Sequence, residues 1–323
     1  MLSYPYLLAD IGGTNARFAL VREQHSEIAE VVSLRCADFP GPLEAVQSYL
    51  EQCSLSQGEL NQAAFAVAAS NTSGTIKLTN SAWSFECDAL KRTLGVDNLL
   101  VCNDFEALAH SLPTLAPTDF QMVGAMMPTA NLPKVALGPG TGLGVAAVIP
   151  TSRGWIAVPG EGGHATLAAS DDFEAEILSA ARREFAHVSA ERLLSGIGLP
   201  VLLRAVCVVQ GIAPINRPAE DISALGVSGR DKPCGTALAL FFAFLGAFAG
   251  NLALTFGARG GVFIGGGIIP KLHKALTASR FRERFEGKGR FQPYLAQIAT
   301  VTITAPYAAL RGLACALKAG AAE

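Results

Sequence analysis

Three observations in the 323-residue sequence predict an α/β fold built in two successive halves. Apolar, strand-like runs alternate with amphipathic helical stretches through the first third of the chain. The 33 glycines gather in short knots where apolar runs end. The strand–knot–strand pattern of "LLADIGGTNARFAL" returns as "VALGPGTGLGVAAVI", the one internal echo in a chain without a solenoid period.

Taken in order, Leu7–Leu20 reads as two strands joined by "DIGGTN", since Gly-Gly between strand-like runs is a hairpin signal. A third strand is expected at Ile28–Leu34. The breaker pair "GP" opens a helix near Leu43, with Leu43, Val46, Tyr49 and Leu50 on one face. "QAAFAVAAS" reads as a buried strand, and "SFECDALKRTLG" as a helix opened by Ser84 and stopped by Gly95. "NLLVCND" is a further buried strand and "FEALAHSL" a helix ended at Pro113. Pro113–Pro133 is richer in Pro, Thr and Met, which places a domain hinge near its start. A helix from Asp172 to Phe185 carries a capping box, Asp171 with Glu174, and an apolar face of Phe173, Ile177, Ala181 and Phe185. Another helix starts after Ser189, and the chain ends in a strand, "ATVTITA", and a helix, "AALRGLACALKAG".

Composition excludes several classes of function. Half of the residues are hydrophobic and 16% charged, as in a compact enzyme-like globule and unlike a disordered chain. A net charge of −2 gives no footprint for nucleic acid or an anionic membrane. The seven cysteines (36, 53, 87, 102, 207, 234 and 315) are scattered and never form C-x-x-C, which favours free thiols in a reducing compartment. "MLSYPYLLAD" shows no basic n-region or cleavage signal, so a cytoplasmic location is expected. The uncharged run Pro233–Ala258, with Gly246-x-x-x-Gly250, is long enough to span a bilayer. Thr236, Asn251 and Thr255 interrupt it, and "RGGVFIGGG" follows, so a buried core helix leading into a core strand is the expectation.

Three knots carry the chemistry: "DIGGTN" (10–15), "GPGTGLG" (138–144) and "GGVFIGGG" (260–267). Glycine at strand ends lets bare backbone N–H groups point at anionic oxygens. Neither G-x-G-x-x-G nor a Walker A sequence is present, which leaves phosphate binding by hairpin turns. Asn103-Asp104 ends a buried strand; Asp104 is either the N-cap of the next helix or a carboxylate able to take a proton from a hydroxyl. "PGEGGHATLA" brings Glu161 and His164 together, a turn with a solvated acid or a pair of hydroxyl-binding groups. Glu191 opens a helix, where an acid also favours the macrodipole. No H-E-x-x-H or other cluster of His and Cys occurs.

"ADIGGTNARFAL", "LTNSAWSF", "NDFEALAHSLP", "GPGTGLG", "PGEGGH", "HVSAERLLSGIGL" and "GGVFIGGGI" occur in the order seen in bacterial glucokinases. The chain resembles that family, within the actin/hexokinase/Hsp70-type ATPase superfamily, from Asp10 to the helix near Gly312. The resemblance implies a two-domain actin-like ATPase (ribonuclease H-like) fold with an interdomain active-site cleft. Residues 1–113 plus 305–323 would form the smaller α/β domain and 114–304 the larger one. The implied activity is transfer of the γ-phosphate of MgATP to the 6-hydroxyl of glucose, by a homodimer.

By the same resemblance Asp104 matches the general base. Asn80, Asn103, Glu161, His164 and Glu191 match groups that line the sugar pocket. Ala9, Asp10, Ile11, Gly12, Gly13 and Thr14 match the first phosphate hairpin, with Asp10 near the Mg²⁺ of MgATP. Gly140, Thr141 and Gly142 match the second hairpin, and Gly265, Gly266 and Gly267 the adenosine-side knot. Two departures are visible. "AASNTSG" stands where many relatives have a Gly-Pro or Cys-Pro turn, and the zinc motif of the repressor and kinase cousins is reduced to isolated Cys207 and Cys234, so no zinc is expected. The rival enzyme is a kinase for another hexose or an amino sugar. A sugar-sensing regulator would need a DNA-binding element that the start of the chain does not show, and an actin-type ATPase would not need "GEGGH".

Overall fold

The computed structural model describes residues 4–24, 28–72, 75–78 and 83–320. Strands β1 (Tyr6–Ile11) and β2 (Asn15–Val21) form the first hairpin, and β3 (Ala29–Arg35) pairs with β2. Helix α1 (Pro42–Gln52) opens on proline, whose missing N–H would have no partner in the first turn anyway. Strand β4 (Gln62–Val67) is buried throughout. Strands β5 (Ala69–Thr72), β6 (Thr75–Leu78) and β7 (Ser84–Glu86) make a small antiparallel sheet. Ser84 therefore lies in a strand, not at a helix start. Its pairing with Lys77 overrides its capping preference, and helix α2 runs only from Cys87 to Leu94. Gly95 stops α2 in the left-handed conformation (φ 68°). Strand β8 (Asn98–Asn103) leads straight into helix α3 (Asp104–Ser111).

Next come β9 (Phe120–Met122) and the long ribbon β10 (Lys134–Pro139), β11 (Leu143–Thr151) and β12 (Gly154–Gly160). Helix α4 covers Asp172–Ala181 and stops short of Phe185, because Arg183 and Glu184 bond only three residues back. Phe173 is 39% exposed, so the inward face is Ile177, Leu178 and Ala181. Asp171 caps α4 through Oδ1, which accepts from Glu174 N at 2.9 Å. The Glu174 carboxylate reaches back one residue further than the capping box requires, accepting from Ser170 N at 2.6 Å. It also takes Arg284 at 2.8 Å, a partner that a fully buried carboxylate needs. Helices α5 (Ala190–Leu193), α6 (Gly198–Val209), α7 (Ala219–Ser228) and α8 (Lys232–Thr255) follow, then β13 (Gly261–Ile264). Short helices α9 (His273–Thr277), α10 (Phe281–Glu286) and α11 (Gln292–Ala296) precede β14 (Thr300–Ile303) and α12 (Ala308–Gly320).

The chain divides into two compact units, unit 1 comprising Met1–Thr114, Thr151–Ala157 and Pro306–Glu323, and unit 2 comprising Leu115–Pro150 and Val158–Ala305. In unit 1 the sheet order is β3-β2-β1-β4-β8, with β1, β4 and β8 parallel. Alternation along β1 separates two cores, as a sheet covered on both faces requires. Leu7, Ala9 and Ile11 pack with Val46 and Tyr49 of α1 and Leu90 and Leu94 of α2. Tyr6 and Leu8 face the other way, toward Ala107 of α3 and Leu310, Leu313 and Leu317 of α12.

The six-stranded sheet repeats the plan: β12-β11-β10-β13-β14 places a hairpin beside parallel strands in the same order, and β9 closes the far edge antiparallel. Helix α8 is long and apolar enough to cross a membrane, yet 83% of its most apolar window is buried inside the protein. Gly246 and Gly250 form a notch for α10. A Cβ on Gly246 would collide with the carbonyl oxygen of Phe281, and one on Gly250 would lie 2.5 Å from that of Phe285.

Candidate active site

In unit 1 the register aligns the carboxyl ends of three parallel strands: Ile11 faces Val67, and Val67 faces Asn103. Ligands of open α/β sheets gather at such an edge. One row earlier stand Asp10, Ala66 and Cys102. Ala66 and Cys102 belong to the core beneath α3 and α12, so Asp10 points to the face that α3 covers. Asp10 and the start of α3 thus share one edge and one face, two strands or about 10 Å apart. The Asp10 carboxylate takes Arg17 Nη1 at 3.2 Å from the facing position on β2. Burial pushes its carboxyl up, and Arg17 pulls it back. Beyond Asp10 the turn closes through Gly12 N donating to Asn15 O (3.0 Å), and Cys36 N braces it at Thr14 O (2.9 Å).

At the start of α3 the two adjacent polar residues divide their duties. Asn103 is the N-cap: its Oδ1 accepts from Phe105 N at 2.8 Å. Asp104 is the first helical residue, with Oδ1 3.0 Å from the same N–H. The cap that the sequence offered to Asp104 thus belongs to Asn103. Glu106 is the third helical residue; burial pushes its carboxyl up, and the nearby Asn103 backbone N–H pulls it back. Cys102, just before the pair, is buried and its thiol is pushed up to about 12 by desolvation, so it stays protonated.

In unit 2 the second turn joins β10 to β11, with Gly140 N donating to Gly142 O at 2.8 Å. The third knot follows β13 on the adjacent parallel strand, and Gly265 N donates to Leu137 O at 2.8 Å. Gly266 is demanded by the fold: its φ is +81°, and a Cβ would collide with Pro139 O. Gly140 and Gly267 differ. Neither has a positive φ, and among the described residues no atom lies within 4 Å of where a Cβ would sit.

Glu161 and His164 flank a short turn packed on β11, where a Cβ on Gly163 would collide with Leu143 O. The His164 ring lies between two carboxylates, Nε2 being 3.9 Å from Glu161 Oε2 and Nδ1 4.0 Å from Glu191 Oε1. Glu161 and His164 are open to solvent at 77% and 62%, and Glu191 is recessed at 25%. The structure therefore gathers these three sequence candidates into one polar cluster. Asn80 lies outside the described residues. Among those described, no group of three His, Cys, Asp or Glu side chains could hold a metal ion, and Cys207 and Cys234 are buried in the core. Sequence reasoning also missed Arg17 and Gly196, whose contacts run across a hairpin or between distant segments, and Ser195, whose hydroxyl bonds locally to Glu191 O and Gly198 N.

A sequence profile of the glucokinase family matches residues 7–320. The chain is 47% identical over 314 residues to the glucokinase of Paramagnetospirillum magneticum, covering 97% of each. It is 44% identical over 315 residues to that of Chromobacterium violaceum, covering 98% of this chain and 90% of the relative. Among solved structures, a glucokinase from an Antarctic psychrotroph superposes with a TM-score of 0.89 at 36% identity, covering 98% of this chain and 99% of that one. A ROK family glucokinase from Streptomyces griseus, solved with glucose and AMPPNP, shares the fold at a TM-score of 0.63 and 18% identity, covering 96% and 98%. These neighbours have the two-domain actin-like ATPase fold, and so does this chain. Matched along nearly its whole length by the family profile and by relatives of this identity, the chain belongs to the glucokinase family.

Proposed function

We propose that Asp104 is the general base of an ATP-dependent glucose kinase, the activity that the family match assigns to this chain. The observation that carries it is the division at the start of α3: Asn103 caps the helix, so the cap does not account for Asp104. Asp104 removes the proton of the glucose 6-hydroxyl as that oxygen attacks the γ-phosphate of ATP, giving glucose 6-phosphate and ADP. Glu161, His164 and Glu191 hold the remaining hydroxyls, accepting or donating as each requires. Asn103, its Oδ1 engaged as cap, offers the sugar its Nδ2 donors. The scattered free cysteines suit a cytoplasmic enzyme.

Phosphoryl transfer asks mainly for positioning and charge neutralisation. The turns at Gly12–Thr14 and Gly140–Gly142 supply backbone N–H groups, and the knot at Gly265–Gly267 takes the adenosine side. Asp10 fits a magnesium ion as a hard carboxylate donor, one oxygen already steadied by Arg17. When bound, that cation would neutralise phosphate charge. Gly140 supports this assignment, since neither its backbone conformation nor a neighbouring atom requires glycine. Gly140→Ala is accordingly expected to leave the unfolding temperature unchanged while raising KM for MgATP roughly tenfold, about the worth of one charge-assisted hydrogen bond. A normal KM would show that the methyl meets no phosphate.

A coupled assay of the purified protein with MgATP and a panel of hexoses and amino sugars tests the function as a whole. ADP release is expected with glucose, and the rest of the panel measures how far mannose and glucosamine are accepted. Absence of glucose-dependent release would overturn the reading.

A further inference from the structure

Glu191 touches more than the polar cluster. Its Oε2 accepts the backbone N–H of Leu143 at 2.9 Å, across 48 residues of sequence, at the point where the 140–142 turn re-enters β11. A Cβ on Gly142 would collide with that same oxygen, so the turn backbone lies directly against the carboxylate. The segment that carries Glu191 grips the turn a second time through Gly196 N, which donates to Gly140 O at 2.8 Å. Ser195 stiffens the segment. Its hydroxyl donates to Glu191 O (2.7 Å) and accepts from Gly198 N (3.1 Å), and the residue is fully buried.

We infer that Glu191 is a positioning residue for the nucleotide phosphates, its Oε2 setting the geometry of the 140–143 turn while its Oε1 faces the sugar-binding cluster. The inference rests on the reading above, in which the turn holds phosphate and Glu191 a sugar hydroxyl. One carboxylate then couples the two substrates. A hydroxyl that pins Oε1 also fixes the rotation of the side chain, and so holds Oε2 on Leu143 N. Gly142 has its own reason to be glycine, which is room for the carboxylate rather than the bend.

The test is the affinity for magnesium AMPPNP measured calorimetrically without sugar, where a residue that touches only sugar would have no effect. Glu191→Ala is expected to weaken binding roughly tenfold, because the Leu143 N–H loses a charged acceptor. Glu191→Gln keeps an acceptor oxygen and is expected to stay within about threefold of wild type. Wild-type affinity in the alanine variant, or equal losses in both variants, would overturn the inference. Gly142→Ala provides a second route should the first variant not fold. Among the described residues its methyl meets Glu191 atoms alone, so it is expected to weaken the nucleotide in the wild-type background and to add nothing when Glu191 is alanine. Independent, additive losses would also count against the coupling. If wild type bound no nucleotide and released no ADP, the functional reading itself would fall. Normal wild-type turnover with an indifferent Glu191→Ala would sink only this inference.

Discussion

Asp104→Ala is expected to lower kcat by about 10²–10⁴-fold while leaving glucose binding and the fold in place. The separation follows from the geometry of α3. Asn103 provides the N-cap, so removing the Asp104 carboxylate leaves that cap in place. The helix loses the Asp104 Oδ1 share of the Phe105 N–H, which Asn103 still bonds, and one acid in its first turn, worth about 0.3–1 kcal/mol through the macrodipole. Asp104→Asn sharpens the comparison, since an amide of the same size cannot accept the proton and is expected to fail as badly as alanine. Glucose titration by calorimetry and steady-state turnover read the two quantities separately. Near-normal kcat in either variant would leave Asp104 a helix residue only.

Much of the framework was legible in the sequence because its signals are local. Both strand–knot–strand hairpins form where the pattern repeats, and the uncharged run through Gly246 is a core helix leading into a core strand. The errors have different causes, a tertiary pairing at Ser84 and local backbone geometry at the ends of α4. Ser84 reads as a cap until a neighbouring strand pairs with it. Phe173 fits a helical stripe but sits in the first turn of α4, where the helix face has not yet met the core.

The site divides the same way. The glycine knots and the pair Asn103-Asp104 are contiguous in sequence and were visible at once. The tie from Glu191 to Leu143 spans 48 residues, and no pattern around Glu191 announces it; the macrodipole explained the residue equally well. Arg17 was hidden because its pairing with Asp10 depends on hairpin register. Sequence locates the turns, and only the fold shows what each glycine makes room for.

Gly312→Val is expected to cost about 3 kcal/mol or more, the upper end of overpacking in a closed core. A Cβ at this position would collide with Ala107 O on α3 and stand 3.1 Å from Ser111 N, the two ends of one backbone hydrogen bond of that helix. The obstacle is backbone, so no side-chain rotation relieves it, and α3 must move off α12. Leu310, Leu313 and Leu317 on α12 share one core with Ala107, so the shift opens that core as well. The unfolding temperature should fall by roughly 6 °C or more. Gly320→Ala on the same helix is the control, with no atom among the described residues within 4 Å and an expected change below about 1 kcal/mol. Activity reports the same displacement independently. Ala107 lies one turn beyond Asp104, and a base misplaced by about 1 Å can cost on the order of 10²-fold in rate. A Gly312→Val protein that melts and turns over like wild type would mean that α12 does not hold α3, and with it Asp104, in place.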